Sequence, residues 1–169
     1  MGQRNSSKTT EFDLRYLRSG DRNVDLSDIH RRRDVSKEKW YPECIEASSD
    51  GKNIFVLASD HIVRIKRSGR RSYASVFKTN LEDIRGLALS PCENILYFAN
   101  SSKNRICAVS IEKIGSKTLL DLSYDSRTIP SMSIPVDIAF ARSDSNDSST
   151  VFALVTCYKN NRVVKLNRD

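Results

Sequence analysis

Short apolar runs separated by turn residues follow one another from Trp40 to the end of the 169-residue chain. This pattern predicts an all-β domain, because strands are typically runs of about four to eight residues bounded by Gly, Asn, Asp and Ser. Residues 1–38 are instead rich in Arg, Asp, Ser and Lys and show little apolar periodicity. The pattern therefore predicts a disordered basic and polar tail over residues 1–38 and a β-domain over residues 39–169.

One stretch of this tail has a strand-like pattern. Phe12, Leu14 and Tyr16 alternate with polar residues and precede the turn-like Ser-Gly-Asp sequence at residues 19–21. The alternation predicts a lone strand that completes a sheet of the β-domain.

The β-domain contains three copies of one pattern. Residues 53–58 (NIFVLA) match residues 94–99 (NILYFA), which predicts a repeat that sets Asn53 on Asn94. A third copy begins at Val136 and, after a longer Ser- and Asp-rich turn, continues at Thr150. Each copy then ends in a strand that opens with a basic residue, at residues 61–65, 105–109 and 162–166. Two more candidate strands lie between the copies, at residues 72–77 and 118–122.

A repeat of about 40 residues that holds about four strands is typical of a β-propeller blade. Radial packing of blades buries both faces of each sheet, which explains why the central runs are continuously apolar. The sequence predicts an incomplete β-propeller of about three four-stranded blades, at residues 42–79, 83–124 and 134–169. The alternative interpretation is a generic antiparallel sandwich.

Three blades are fewer than the roughly four to eight that close a propeller. The end blades should then expose apolar flanks and strand edges. Two hypotheses account for this: the chain is a fragment or isoform of a longer protein, or two chains associate to complete six blades.

The second and third copies resemble known propellers. Residues 87–111, with Arg85 and Gly86 before them, and residues 134–138 followed by residues 152–166 are similar to one superfamily. This superfamily includes the gluconolactonase/senescence-marker family, strictosidine-synthase-like proteins and NHL-repeat propellers. The resemblance covers roughly residues 42–167 and implies a six-bladed propeller.

The gluconolactonase resemblance also implies a site for a divalent metal, usually calcium, held by a Glu, an Asn and an Asp. Arg85 stands where the family has the Asn, and Val136 stands where it has the Asp. Asp137 follows one residue late, so its side chain points to the other face unless the backbone bulges there. Asp137 is therefore a weak candidate ligand, and its simpler interpretation is an ordinary residue at the start of a strand. We predict no catalytic residue, no metal and no cofactor, with calcium entering only if the chain is part of such a hydrolase.

The leading functional hypothesis is a non-enzymatic propeller-type binding or scaffold module that recognises a protein or another partner. One alternative is a fragment of a metal-dependent hydrolase of the gluconolactonase or strictosidine-synthase type. A second alternative is an RNA-binding propeller of the NHL type, because a net charge of +7 favours anionic partners. The candidate anion or RNA contacts are Arg64, Lys66, Arg67, Arg70 and Arg71, and the simpler interpretation of these charges is a solvated face of the β-domain.

The amino terminus matches a myristoylation pattern through Met1, Gly2 and Ser6, so Gly2 is a candidate lipidation site. One acyl chain binds membranes only marginally, and the basic tail would have to add attraction to anionic lipid. We predict a cytoplasmic protein that is membrane-associated if Gly2 is acylated, and secretory only if a segment before Met1 is missing. The widely spaced Cys44, Cys92, Cys107 and Cys157 predict reduced, buried thiols and not a zinc site, and the alternative interpretation is a disulfide framework.

Overall fold

The computed structural model of the chain describes residues 14–18, 20–26, 40–78, 81–111, 119–125, 132–142 and 151–167. These residues form three antiparallel sheets and one turn of 3-10 helix, Leu14–Tyr16. The prediction of an all-β fold is confirmed.

The first sheet has five strands in the order β1-β5-β4-β3-β2. The second sheet has the order β6-β7-β8-β9, and the third has the order β10-β11-β12. The strands of the first sheet are β1 (Val24–Asp25), β2 (Pro42–Ala47), β3 (Asn53–Ala58), β4 (His61–Ser68) and β5 (Arg71–Lys78). Those of the second sheet are β6 (Ile84–Leu89), β7 (Ile95–Asn100), β8 (Arg105–Ser110) and β9 (Leu119–Asp125). Those of the third sheet are β10 (Pro135–Arg142), β11 (Val151–Cys157) and β12 (Arg162–Asn167).

The three sheets meet through their inner strands, since β6 contacts both β2 and β10. From this common edge the strands of each sheet run outward in chain order, except that β1 lies outermost in the first sheet, beyond β5. This is the arrangement of neighbouring propeller blades, so the prediction of an incomplete propeller-like fold is confirmed.

Each inner strand is irregular at the same place. The pairing with the next strand shifts between Pro42 and Cys44, between Ile84 and Leu87, and between Pro135 and Asp137. A bulge bends a strand and re-aims its side chains. The three sheets therefore share the position of this register shift as well as the order of their strands.

The strand pairings correct the predicted alignment of the first two copies. Ile45 pairs with Val56 in the first sheet and Leu87 pairs with Phe98 in the second, so Val56 corresponds to Phe98. The turns agree, because the hydroxyl of Ser48 accepts from the Asn53 amide and that of Ser90 accepts from the Ile95 amide. Asn53 thus corresponds to Ile95 and not to Asn94, and the predicted alignment is wrong by a single position.

A slip of one position in a strand moves every side chain to the opposite face. In the observed register Phe55 corresponds to Tyr97, and both face the following sheet. The sequence concealed this register because both faces of β3 and β7 are apolar.

Two apolar clusters hold the sheets together. The first lies between the first and second sheets, and the second lies between the second and third sheets. The first cluster includes Phe55, Leu57, Ile62, Leu87, Leu96, Phe98, Cys107 and Val109. The second cluster includes Ala99, Ile106, Met132, Ile138, Ala153, Val155, Cys157, Val164 and Leu166.

A third cluster covers the outer face of the first sheet. We call residues 14–18 and 20–26 the covering segment, because its Leu14, Leu17 and Leu26 are buried with Trp40 against that face. β1 adds a fifth strand by pairing Val24 with Ala74 of β5.

The covering segment lies within residues 1–38, the predicted disordered tail, and its described residues pack against the first sheet. The sheet supplies the apolar surface that the segment lacks by itself, so packing offsets the entropy of ordering. Leu14 and Tyr16 lie in a 3-10 turn and not in the lone strand that we predicted. Phe12 lies outside the described residues.

Candidate functional site

One end of the sheets carries the starts of the inner strands and the tight turns that follow β3, β7 and β11. At this end the first amide of each turn donates to the carbonyl just before the inner strand. The three bonds run from Ser59 to Tyr41, from Ser101 to Asp83 and from Tyr158 to Ile134, each at 3.0 Å. We call this the starting end of the molecule.

A cleft of about 490 Å³ opens at the starting end between the first and second sheets. Four carboxylates and one guanidinium are among the groups that line it. The lining residues are Glu43, Ser59, Asp60, Leu81, Glu82, Asp83, Ile84 and Arg85.

The charge of Arg85 is already engaged inside this cleft. Its Nη2 lies 3.2 Å from Asp83 Oδ1 and its Nη1 lies 3.6 Å from Glu43 Oε2. Asp60 contacts the buried His61 through an Oδ1–Nδ1 distance of 2.5 Å. Carboxylates outnumber cations in the lining, so the cleft is a locally acidic site on a chain of net charge +7.

Two large aromatic side chains are exposed at the same end. Tyr41, just before β2, is 62% exposed, and Tyr158, in the turn after β11, is 74% exposed. A tyrosine offers a flat apolar surface and a hydroxyl together, which is why tyrosine is common in recognition surfaces.

The backbone of the starting end is strained at Ile134. This residue has φ of 50°, a left-handed conformation that a β-branched residue rarely adopts. Two hydrogen bonds hold it: its amide donates to Asn104 Oδ1 at 2.7 Å, and its carbonyl accepts from Tyr158. Strain of this kind occurs often at binding sites.

A second cavity, of about 310 Å³, lies where the inner strands meet. Gly86 of β6 approaches β10 so closely that a Cβ atom there would lie 2.7 Å from the Asp137 Cα. Burial raises the pKa of the Cys44 thiol in this cavity, and the nearby Asp137 adds to the rise. The cavity is lined by Glu43, Cys44, Leu57, Arg85, Gly86, Val136 and Asp137.

The bulge in β10 meets the condition under which Asp137 could take the place of Val136 as a ligand. The remaining side chains do not fit calcium. Arg85 lines the same cavity and pairs with Glu43, so a fixed cation would stand beside the ion. Among the described residues no group of three or more His, Cys, Asp or Glu is placed to hold a metal.

The structure separates the five predicted anion contacts. Arg64 is half-buried and joins two sheets, because its Nη2 donates to Asn53 Oδ1 at 2.7 Å and its Nη1 donates to the Ile111 carbonyl at 3.3 Å. Burial lowers the pKa of Arg64. Arg71 is exposed and lies 3.8 Å from Asp25. The exposed remainder of the set is Lys66, Arg67 and Arg70.

The four cysteines are free thiols. Cys107 and Cys157 are buried and Cys44 is half-buried, but Cys92 is exposed in the turn between β6 and β7. The prediction of buried thiols is therefore wrong for Cys92. Gly2 lies outside the described residues, so its lipidation stays a prediction. Within the described part of the chain, no helix is long and apolar enough to cross a membrane.

The acidic cleft was not predicted from the sequence. Its four carboxylates come from three separate places in the chain, and only the packing of β2 beside β6 brings them together. One signal was available, because Glu43 and Arg85 occupy the same position in successive copies once Asn53 is aligned with Ile95.

No protein-family model matches the chain, and no curated protein matches it. Solved structures do resemble it. Hydrazine synthase of Kuenenia stuttgartiensis, a β-propeller protein, superposes with a TM-score of 0.56 at 14% identity over 79% of this chain and 34% of that one. A candidate 6-phosphogluconolactonase from Bacteroides uniformis gives a TM-score of 0.44 at 18% identity, over 73% of this chain and 39% of the other. A candidate 6-phosphogluconolactonase from Bacteroides fragilis gives a TM-score of 0.43 at 14% identity, over 78% of this chain and 45% of the other.

The chain thus spans less than half the length of each of these structures. At 14% identity the similarity to hydrazine synthase concerns the fold alone. What the comparison and the three sheets together establish is an all-β, propeller-like fold.

Proposed function

We propose that the chain is a non-enzymatic binding module that recognises a protein partner through its starting end. The observation that carries this proposal is the exposure of Tyr41 and Tyr158, at 62% and 74%, at the same end as the acidic cleft. Tyrosines that reach full burial in an interface often dominate its binding energy.

The charge of the cleft indicates the chemistry of the partner. Glu82 is well exposed and pairs with the ammonium group of Lys103 at 3.9 Å. An exposed pair of this kind is weak and can be replaced by a better partner. A Lys or Arg side chain of another protein would find carboxylates from both sheets within reach, so we expect the recognised segment to be basic.

A displayed peptide library tests this proposal. We expect the wild-type chain to enrich peptides that contain Lys or Arg, and the variants Tyr158→Ala and Glu82→Lys to bind the enriched peptides at least about tenfold more weakly, since losing one hot-spot side chain costs roughly 1–2 kcal/mol or more. Fluorescence anisotropy with one labelled peptide gives the affinities.

The matched control is Lys66→Ala, which removes an exposed charge outside the starting end. It should bind the peptides as the wild type does. Equal loss of binding in Lys66→Ala, or no enrichment of any peptide, would rule out the starting end as the recognition surface.

RNA binding is a second candidate, and the exposure of Lys66, Arg67 and Arg70 favours it. Neutralising contacts to phosphate makes affinity fall steeply with salt. Arg64 is excluded from this role by its contacts to Asn53 and Ile111. Loss of salt-dependent RNA binding in Lys66→Ala/Arg70→Ala, with binding kept in Glu82→Lys, would support RNA over a protein partner.

A further inference from the structure

The covering segment packs on the face of the first sheet that, in the second and third sheets, contacts the sheet before. Val56, Phe98 and Val155 occupy one position of the repeat, because each pairs with the corresponding residue of its inner strand. Phe98 and Val155 pack against the sheet before theirs. Val56 packs against the covering segment, and the described residues place no sheet before it.

The third strands of the sheets repeat the same arrangement. Cys107 and Val109 of β8 pack against the first sheet, and Val164 and Leu166 of β12 pack against the second. The corresponding Val63 and Ile65 of β4 pack with Leu14, Leu17, Leu26 and Trp40. The outer face of the first sheet therefore has the same construction as faces that receive another sheet.

The cover over this face is incomplete. Ile45 of β2 corresponds to Leu87 and Ile138, which are each 4% exposed in the contacts between sheets. Ile45 itself is 66% exposed. The covering segment thus protects the outer strands of the first sheet and leaves the inner strand open, where a sheet would protect both.

The far face of the third sheet is the complementary surface. Its Leu154 and Val163 occupy the positions that Phe55 and Ile62 hold in the first sheet, where both are buried against the next sheet. Val163 is 64% exposed. In the register of the repeat, this face and the outer face of the first sheet are therefore the two kinds of surface that meet between successive sheets, with Thr156 in the place of Leu57 and Lys165 in the place of Arg64.

We propose that the covering segment is an intramolecular cap that blocks head-to-tail association of two copies of this chain. With the cap displaced, the far face of the third sheet of one copy would seat on the outer face of the first sheet of the other. Two such contacts close a ring of six blades, which is within the range of about four to eight that propellers adopt. The second copy is the occupant that the repeat favours, because both contacts would reproduce those already inside the chain. The inference does not depend on the recognition surface proposed above.

The test uses the full chain with a protease recognition sequence inserted between Leu26 and Trp40. Before cleavage, light scattering coupled to gel filtration should give the monomer mass, close to 19.2 kDa. After cleavage and removal of the released piece the mass should rise to a dimer of the shortened chain. Adding an excess of a synthetic peptide of residues 14–26 should return the monomer.

Variants of the intact chain give an independent check. Leu14→Asp/Leu17→Asp should form the dimer without cleavage, whereas Arg22→Asp, at an exposed position of the same segment, should stay monomeric. Adding Val163→Asp to the first variant should abolish the dimer, since it places a charge in the second surface.

Three results would overturn the proposal. The first is a cleaved chain that stays a folded monomer, and the second is a dimer that survives Val163→Asp. The third is a cleaved chain that loses its β-sheet circular dichroism, because the segment would then be required for folding and would not be a cap over a competent face.

Discussion

The outer face of the first sheet and the far face of the third sheet lie at the two ends of the row of sheets. The covering segment packs on the first of these faces, whereas Val163 on the second is exposed. The first carries Val56, Val63 and Ile65 and is covered by the chain's own leucines. The third carries Thr156 and Lys165, with Val163 exposed between them. The covered face is thus the more apolar of the two, and its exposure to water would cost more free energy.

A pair of corresponding residues makes the same point. Arg64 and Lys165 occupy one position of the repeat, on β4 and β12. Arg64 lies between two sheets with its guanidinium bonded to Asn53 and the Ile111 carbonyl. Lys165 is exposed, and its ammonium group lies 4.2 Å from the centroid of the Phe152 ring. At this position of the repeat, the cation of the first sheet is half-buried and hydrogen-bonded between two sheets, whereas the cation of the third sheet is exposed to solvent over an aromatic ring.

The largest expected effect comes from Leu17, which is fully buried under the first sheet's face. Leu17→Ala should lower the free energy of unfolding by about 2–5 kcal/mol, because it leaves a cavity in the cover. Val163→Ala, on the uncovered face, should change it by less than about 0.5 kcal/mol. Urea denaturation of both variants gives the comparison, and equal losses would mean that the two faces do not differ as described.

The next effect tests the contact between the second and third sheets. Gly86→Ala should destabilise the chain by about 1–3 kcal/mol, since its Cβ would be forced against the Asp137 backbone. Gly20→Ala is the matched control, because a Cβ at Gly20 has no atom within 4 Å. Thermal melting of the two variants measures the difference, and a Gly86→Ala variant as stable as the control would refute the close approach.

A smaller effect distinguishes the two corresponding cations. Arg64→Met should cost about 1–2 kcal/mol, because it leaves the Asn53 side-chain oxygen and the Ile111 carbonyl of the neighbouring sheet without their guanidinium partner. Lys165→Met should cost less than about 0.5 kcal/mol. Chemical denaturation decides, and similar values for both variants would show that Arg64 does not link the sheets.

The smallest effect concerns the turns that correspond to each other in the first and second sheets. A hydrogen bond from the Lys52 amide, with further bonds from Ser48 and Lys52, lowers the pKa of Asp50 to about 2. Its contribution to stability should therefore be present above its usual pKa near 3.8 and be lost as the pH falls through about 2.

Cys92 occupies the position of Asp50 in the corresponding turn of the second sheet. We therefore expect this second turn to lack the pH dependence that the Asp50 carboxylate gives to the first. NMR titration of the Ser48 and Ser90 amides compares the two directly. Identical pH profiles for both amides, or an unchanged profile in Asp50→Asn, would contradict the assignment.

Much of the fold was predictable because its signals are local. Apolar runs and turn residues such as Gly51 and Asn104 mark each strand and its end, so the three copies could be read directly, although the described sheets hold five, four and three strands and not four each. The register was not predictable, because side chains on both faces of β3 and β7 are apolar and a shift of one position leaves the pattern unchanged. The cover was missed because Leu14, Leu17 and Leu26 are too sparse to form a periodic pattern.

The acidic cleft was harder to predict from the sequence than the fold was. Asp60 follows β3 whereas Glu82 precedes β6, and no spacing rule connects a turn of one blade to the linker of the next. Such a site exists only after the blades have packed. The predicted basic set shows the converse, because neighbours in sequence such as Arg64 and Arg67 lie on opposite faces of one strand.

The missing side chain at Gly86 also has a geometric consequence. Where β6 passes the backbone of Asp137, two inner strands can approach each other more closely than any residue with a Cβ would allow. Neighbouring blades are wedges whose narrow ends meet at this hub, and the angle of the wedge decides how many of them complete a circle. A methyl group at position 86 would push the narrow ends apart, flatten the arc and raise the number of blades needed for closure. The glycine at position 86 thus helps to determine how many blades of this geometry would close a ring.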